Sequence, residues 1–519
     1  MFKIRYLLPV LLLFSATLSL TLPGCKPREE ELQTSGGLEF SADTVKFDTV
    51  FTTLGTVSKR LWVYNRNSKA VNVDLVSLDN PASSPYTLLV NGDLKQTATN
   101  LFIRGQDSLL ILVRAKLPDN NQNVAPKKFV VEEKLNFSTN GNQQHVLLRS
   151  FGQNIHLHQH VALPCNTVWT NDRPHVLYDT VLVPTGCTLR IKPGTRVYAH
   201  AGAVLLIQGT LLVNSPADFA PGTSTTDTIS EKNANRVRFA GDRSGEAQYA
   251  TAPGQWTGIQ LYPSSQGNII RYATIQNAAV AVLLLNSGNP VGTRPDVTIQ
   301  NSIIRYISGG SVNFAGALSN KLGLPGAGIL SIAGKATVEN TLFTDCYEYA
   351  IAGYGGGSYD LNFVTIANYP ASTTVRKTSS LTFTNVSPFV GATHNALTLN
   401  VRNSIVWGAI DDELYLENYH EYASTTAFRN SVLKTKLYAS TADAGDNPGL
   451  ANPAYANLLT DPLFLRPNTG SAASNNYTLK ATSPARKRGP AVGSNNPTRD
   501  LVNLPRAATP SLGAYESTN

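Results

Sequence analysis

An all-β fold is what this sequence predicts, and three observations predict it. Charged residues make up 15% of the 519, against roughly 25% in an ordinary soluble domain. Methionine occurs once, at position 1, while Gly (39) and Pro (29) are plentiful and 42% of the chain is apolar. Long helices draw on Met, Glu, Lys and Ala, so such a chain leans to strands. Third, a short β-branched run ending at Asn recurs along the second half, as in Thr298-Ile-Gln-Asn301 and Thr337-Val-Glu-Asn340. A helical bundle, a large α/β enzyme and a disordered polar chain are all excluded.

The elements follow in order. Residues 1–24 read as a secretory signal, with Lys3 and Arg5 before the apolar stretch Tyr6–Leu22. An uncleaved membrane anchor is the alternative, but the stretch is marginal in length for a span. The string Leu22-Pro23-Gly24-Cys25 resembles the lipobox of bacterial lipoproteins, which implies Cys25 as the acylated first residue of the mature chain; Pro23 departs from the commonest form. Loss of Lys3 and Arg5 lowers the formal net charge from +8 to about +6. Residues 25–37 form a tether. Its Glu29-Glu30-Glu31 run resembles the surface-export tag of some Gram-negative outer-membrane lipoproteins, and reads equally well as a solvated spacer.

Residues 38–155 predict an immunoglobulin-like β-sandwich. Strands of alternating polarity run over 44–50, 60–65, 71–78, 108–115 and 128–138, with Asn-rich turns between them. Residues 156–519 predict a solenoid. The Asn positions 277, 301, 340, 368, 385, 403 and 430 are spaced by 24, 39, 28, 17, 18 and 27, within the range of a repeat architecture. On this reading Ile275, Ile299, Val338 and Ile366 stack in one interior column, and each Asn turns a corner in left-handed backbone geometry. The long step passes through a Gly-rich inserted loop at 308–328.

The segment opening at Phe40-Ser-Ala-Asp-Thr-Val-Lys-Phe, together with Asp461-Pro-Leu-Phe, Tyr477-Thr-Leu, Ser483-Pro-Ala, Asp500, Pro505-Arg506 and Gly513-Ala-Tyr-Glu516, carries a resemblance. The chain resembles secreted bacterial lipoproteins in which a small β-sandwich precedes a right-handed single-stranded parallel β-helix. The resemblance implies architecture over residues 38–519, with the closing segment as a cap, and implies no activity. Arg486-Lys487-Arg488 stands where the family has an apolar-Asp pair.

Candidate chemistry is sparse. Cys165 and Cys187 lie 22 residues apart, about one coil, and are a candidate disulfide. Cys346 has no evident partner. Polysaccharide lyases and hydrolases need clustered carboxylates, and the candidates are Asp345, Glu348 and Asp360, with Arg305 and Lys335 nearby and Tyr347, Tyr349 and Tyr354 as stacking rings. Asp411-Asp412-Glu413 reads as a solvated turn, and Asp296 as a turn cap. His156, His158 and His160 alternate on one strand and could bind Zn²⁺. The preferred reading is a one-sided polar strand, because no carboxylate or Cys shares the segment, so no metal is expected. The functional expectation is a lipid-anchored outer-membrane protein whose β-helix binds glycan or a surface protein without catalysis. The alternatives are a lyase or hydrolase, Ca²⁺ entering only with the lyase, or a structural spacer. Nucleic acid is not an expected partner.

Overall fold

The computed structural model describes residues 31–121, 128–218, 233–286, 292–307, 325–369, 376–387, 393–467, 475–491 and 496–517. The signal segment, Cys25 and most of the Gly-rich insert at 308–328 lie outside these. The protein is all-β. Among the described residues helix is limited to three-residue 3₁₀ turns such as Pro216–Asp218 and Pro453–Tyr455. The chain divides into two compact units, Met1–Asn120 with Lys128–Gln153, and Asn121–Lys127 with Asn154–Asn519.

The first unit holds two five-stranded sheets over one apolar core. Strands Thr44–Phe51, Lys59–Tyr64, Val71–Leu78, Ser108–Ala115 and Phe129–Thr139 match the expected spans within a residue or so. Alternation does the work. In Ser108–Ala115 every second side chain is buried, and Leu109, Ile111 and Val113 meet Val73, Leu135 and Phe137 in the shared core.

The second unit is built on parallel pairing in three columns. In the first, Val237–Gly241, Ala273–Gln276, Ile303–Ile307, Leu342–Cys346, Thr365–Asn368 and Ile405–Gly408 follow one another in register. The second runs through Gly258–Leu261, Val280–Leu285, Ala327–Ile332, Tyr349–Tyr354 and Leu381–Thr384, and joins the first in a 17-stranded sheet. The third, nine strands, runs through Asp296–Gln300, Lys335–Glu339, Gly357–Asn362, Leu397–Arg402 and Thr426–Arg429. Inward residues stack along each column. Ile270, Ile299, Val338, Leu361, Val401 and Phe428 form one buried row, and Phe239, Ile275, Ile304, Phe343, Ile366 and Val406 another. Each such side chain is worth about 1.5–3 kcal/mol when withdrawn from water.

Two expectations are corrected here. Ile275 and Ile366 share a row with each other but not with Ile299 and Val338, which belong to the third column. The Asn-terminated string recurs because strands of every column alternate and end at a corner, so spacing between strings mixes columns. The corner geometry holds at Asn277, Asn301, Asn340, Asn403 and Asn430, with φ from 47° to 63°, a region Asn tolerates better than most residues. It does not hold at Asn368 and Asn385, which stay outside that region and donate their amides to Ser380 Oγ and Glu421 Oε2.

The second correction concerns the closing segment. The far end of the columns is covered by residues 436–458, with Tyr438 and Leu450 entering the interior core and Leu458 bridging Val432. The closing motifs instead run along the outside of the first column. Strands there are apolar on both faces: Ile303, Leu342, Ile405 and Val432 point away from the interior row and pack against Phe464, Leu479, Leu501, Leu512 and Ala514. An outward apolar row needs a cover, and the closing segment is that cover. Corner amides fasten it: Asn301 Nδ2 donates to the Asp500 carbonyl at 3.2 Å and Asn340 Nδ2 to that of Arg499 at 2.7 Å.

Candidate functional site

A cleft of about 490 Å³ lies where the closing segment meets the first column. The column supplies Arg238, Gln276, Arg305 and Asp345, and the segment supplies Asn475, Tyr477 and Tyr515. Parallel register sets the wall, since Gln276 pairs with Arg305 and Arg305 with Thr344. Arg305 Nε donates to Gln276 Oε1 at 3.0 Å, which fixes the guanidinium along the wall.

Asp345 is the single acid among the cleft-lining residues. Its side chain is buried, with 6% of the residue exposed. Thr344 Oγ1 lies 3.0 Å from Asp345 Oδ2 and 2.6 Å from the Tyr477 hydroxyl, to which Asn475 Nδ2 donates at 3.0 Å. Burial pushes the Asp345 carboxyl up to about 6, against the opposing pull of the Thr344 hydroxyl and the Arg305 charge. Tyr306 (φ 54°) and Asp345 (φ 51°) carry the same left-handed kink at equivalent places on neighbouring strands, and both line the cleft. Non-glycine residues in that region cost free energy that the surrounding packing must offset, and such strain concentrates at working surfaces.

A buried acid raised on folding is held more cheaply when protonated. Stability of the second unit therefore falls as pH rises from the ordinary Asp value to about 6, and stays at the lower level above it. Asp345→Asn is expected to add about 2–3 kcal/mol at pH 7 and little at pH 4. Urea unfolding at the two pH values checks this; an equal gain at both would refute the assignment.

The three acidic candidates do not converge. Asp345 is on the first column, whereas Asp360 is on the third, where Asn400 Nδ2 donates to it at 2.8 Å and Arg402 forms a bidentate pair. Glu348 accepts the Gly326 N–H at 2.7 Å and is not part of the cleft lining. Arg305 and Lys335 are also on different columns. Tyr349 and Tyr354 pack on an outward apolar cluster of the second column. The glycines between Asp345 and Asp360 make a tight corner in place of an open groove, with Gly355 and Gly356 at φ +70° and +80°. Asp296 Oδ1 caps a turn, accepting the Gly267 N–H at 2.8 Å.

Glu413 is the clearest departure from the expected solvated turn. Asp411 is exposed and pairs with Lys436, but Glu413 is fully buried, ion-paired with buried Arg376 and bonded to the Ser380 hydroxyl at 2.6 Å. Cys165 and Cys187 form a disulfide with Cα atoms 4.5 Å apart, beside the pairing of Thr167 with Leu189. Cys346 is buried, and burial raises its thiol well above the usual range.

The histidine row splits. Backbone at His160 turns left-handed (φ 45°), and its ring pairs with Asp179 at 2.9 Å. His156 and His158 stay on one face, where register brings His175 opposite His156. Sequence reading missed His175 and Asp172. The Cys165–Cys187 spacing of 22 would have carried His156 to Tyr178, whereas the register pairs it with His175, 19 residues on, so spacing alone did not reveal the pair.

Among the described residues no helix is long and apolar enough to cross a membrane. No protein-family model and no curated protein sequence matches this chain. Among solved structures, a similar region occurs in a family 123 glycoside hydrolase from Clostridium perfringens, described for glycolipid glycan hydrolysis. Identity there is 11%, over 23% of this chain and 30% of that one, with a TM-score of 0.16. Another occurs in PapD-like domain 7 of human CEP192, at 12% identity over 25% of this chain and 92% of that one, also at 0.16. The chain spans under a third of the hydrolase, and at these scores neither likeness bears on function.

Proposed function

We propose that this chain is a lipid-anchored outer-membrane protein that binds anionic glycan in the cleft beside Asp345. Cys25 carries the anchor, an immunoglobulin-like β-sandwich spaces the binding part from the membrane, and a right-handed single-stranded parallel β-helix presents it. The resemblance to secreted β-helix lipoproteins supports the architecture, as do the three columns of parallel strands. The observation that carries the binding reading is the cleft lining. Two arginines suit carboxylate or sulfate groups of a sugar chain, amides of Gln276 and Asn475 suit hydroxyls, and the half-buried Tyr515 offers a ring.

A single acid counts against hydrolysis, which needs a second carboxylate roughly 5–10 Å away. Titration of the purified protein with acidic and neutral glycans tests the reading. Arg305→Ala should weaken binding roughly 10–100-fold, the loss expected for a hydrogen bond to a charged group. Absence of binding to any glycan would reject it in favour of a spacer. The enzymatic alternative rests on the raised carboxyl of Asp345, which suits a general acid; release of product, abolished by Asp345→Ala, would establish it. The anchor has its own readout: Cys25→Ser should leave the membrane fraction, and unchanged processing and fractionation would reject lipidation.

A further inference from the structure

We propose that the first turns of the second unit hold a transition-metal dication, Zn²⁺ being the natural choice, between His156, Asp172 and His175. One ligand atom from each of these residues lies within 4.8 Å of the others. Ligands bound tetrahedrally at about 2.1 Å to one ion stand roughly 3.4 Å apart, so the widest pair must close by roughly 1.4 Å, a movement asked of the partly exposed His156 and Asp172 side chains.

The backbone makes this set. Parallel register places His156 beside His175 on one face, with ring centroids 4.8 Å apart. Asp172 arrives from the turn between Thr167–Trp169 and His175–Val183, and its Oδ2 sits 2.9 Å from His156 Nε2. Thr170 orients two of the three ligands. Its hydroxyl donates to Asp172 Oδ1, leaving Oδ2 for the ion, and its carbonyl lies 3.2 Å from His175 Nε2. A carbonyl only accepts, so His175 carries its proton on Nε2 and presents the Nδ1 lone pair. A ligating histidine held at its other nitrogen by a backbone carbonyl is the usual outer support of such sites. Without an ion that Nδ1 accepts from His158 Nε2 at 2.9 Å, so His158 becomes a fourth ligand once its proton moves to its other ring nitrogen.

Trp169 floors the cluster, stacked on His158 and His175 at 4.7 and 4.6 Å. The side chains of His156 and Asp172 remain 40% and 36% exposed, which gives the ion an entry. Two or three imidazoles with one carboxylate suit Zn²⁺, Ni²⁺ or Cu²⁺ and do not suit Ca²⁺ or Mg²⁺, which need mostly oxygen. Elsewhere His160 pairs with Asp179 and His200 with Asp242, while His394 and His420 both reach Glu421 and His420 also pairs with Asp446. Among the described residues it is His156, Asp172 and His175 that bring three ligand atoms together.

Calorimetric titration of the untagged, chelator-stripped chain with ZnCl₂ tests the proposal. One Zn²⁺ should bind per chain. His156→Gln and Asp172→Asn should each weaken it at least about tenfold, while His160→Gln leaves it unchanged. Both replaced side chains are partly exposed, and unchanged circular dichroism would show that the variants fold. Co²⁺ in place of Zn²⁺ should give visible bands that His156→Gln removes. The proposal fails if no Zn²⁺ binds, if both substitutions leave the affinity intact, or if His160→Gln costs as much as they do.

Discussion

Replacing Arg506 with alanine is expected to lower the unfolding free energy of the second unit by about 3–5 kcal/mol, the cost of stranding a buried charge without its partner. The guanidinium is buried against the Phe363 ring, 3.9 Å from its centroid. One arm donates to Asn340 Oδ1 at 2.6 Å and to the Gly513 carbonyl at 3.0 Å, and Glu516 lies 3.8 Å from the other. Burial lowers its pKa to about 10, so it stays charged at neutral pH. Around it, Asp500 Oδ1 accepts the N–H groups of Val502 and Leu504, its Oδ2 accepts that of Glu516, and Glu516 in turn accepts from Ser511. Alanine would leave both carboxylates buried without their cation and open a hole over Phe363. Denaturant unfolding followed by tyrosine and tryptophan signals measures the loss. Arg506→Lys keeps the charge without the fork and should recover only part of it; a loss under 1 kcal/mol for alanine would contradict this account.

Glu413→Ala is expected to cost a similar 3–5 kcal/mol, for the same reason at the opposite corner of the first column. Arg376 and Glu413 have side chains 1% and 0% exposed, and Glu413 also takes the Ile410 N–H at 3.1 Å. Gly408 has no side chain because an added Cβ would meet the Glu413 carboxylate. An apolar replacement of both partners, Arg376→Met with Glu413→Leu, should cost less than either single truncation. Should the double variant lose the sum of the two single losses, the pair is not acting as a unit.

How much of this was legible in the sequence depended on the range of each contact. Strands of the first unit were readable because alternation is local: Val71–Leu78 and Ser108–Ala115 appear with the expected bounds. Five of the seven Asn corners were readable because Asn tolerates left-handed backbone, whereas Asn368 and Asn385 do not adopt it. Column membership was not, since the same Thr-Ile-x-Asn pattern suits every column and only pairing assigns it. The cleft was illegible for a stronger reason, as Arg238 and Tyr515 meet there from opposite ends of the second unit. A hint existed in the doubled apolar pairs Ile303-Ile304, Leu342-Phe343, Ile405-Val406 and Val432-Leu433. A strand apolar on both faces announces a second covering layer. Glu413 was misread because three adjacent acids look alike in sequence, while strand Leu414–Glu417 begins next to it and draws only Glu413 inward.

The fastening of Asn301 to Asp500 and of Asn340 to Arg499 joins residues 199 and 159 positions apart. A chain emerging in order can stack each repeat on the last as soon as it appears, but the outer row at Ile303, Leu342 and Ile405 waits for a cover that begins at Phe464 and is completed by Leu501, Leu512 and Ala514. Those exposed positions are sticky in the interval, which makes this stretch the natural target for a holding chaperone. The same arrangement makes the cover cumulative: a chain broken off before Phe464 leaves the whole outer apolar row exposed, and one broken off before Asp500 leaves it partly so.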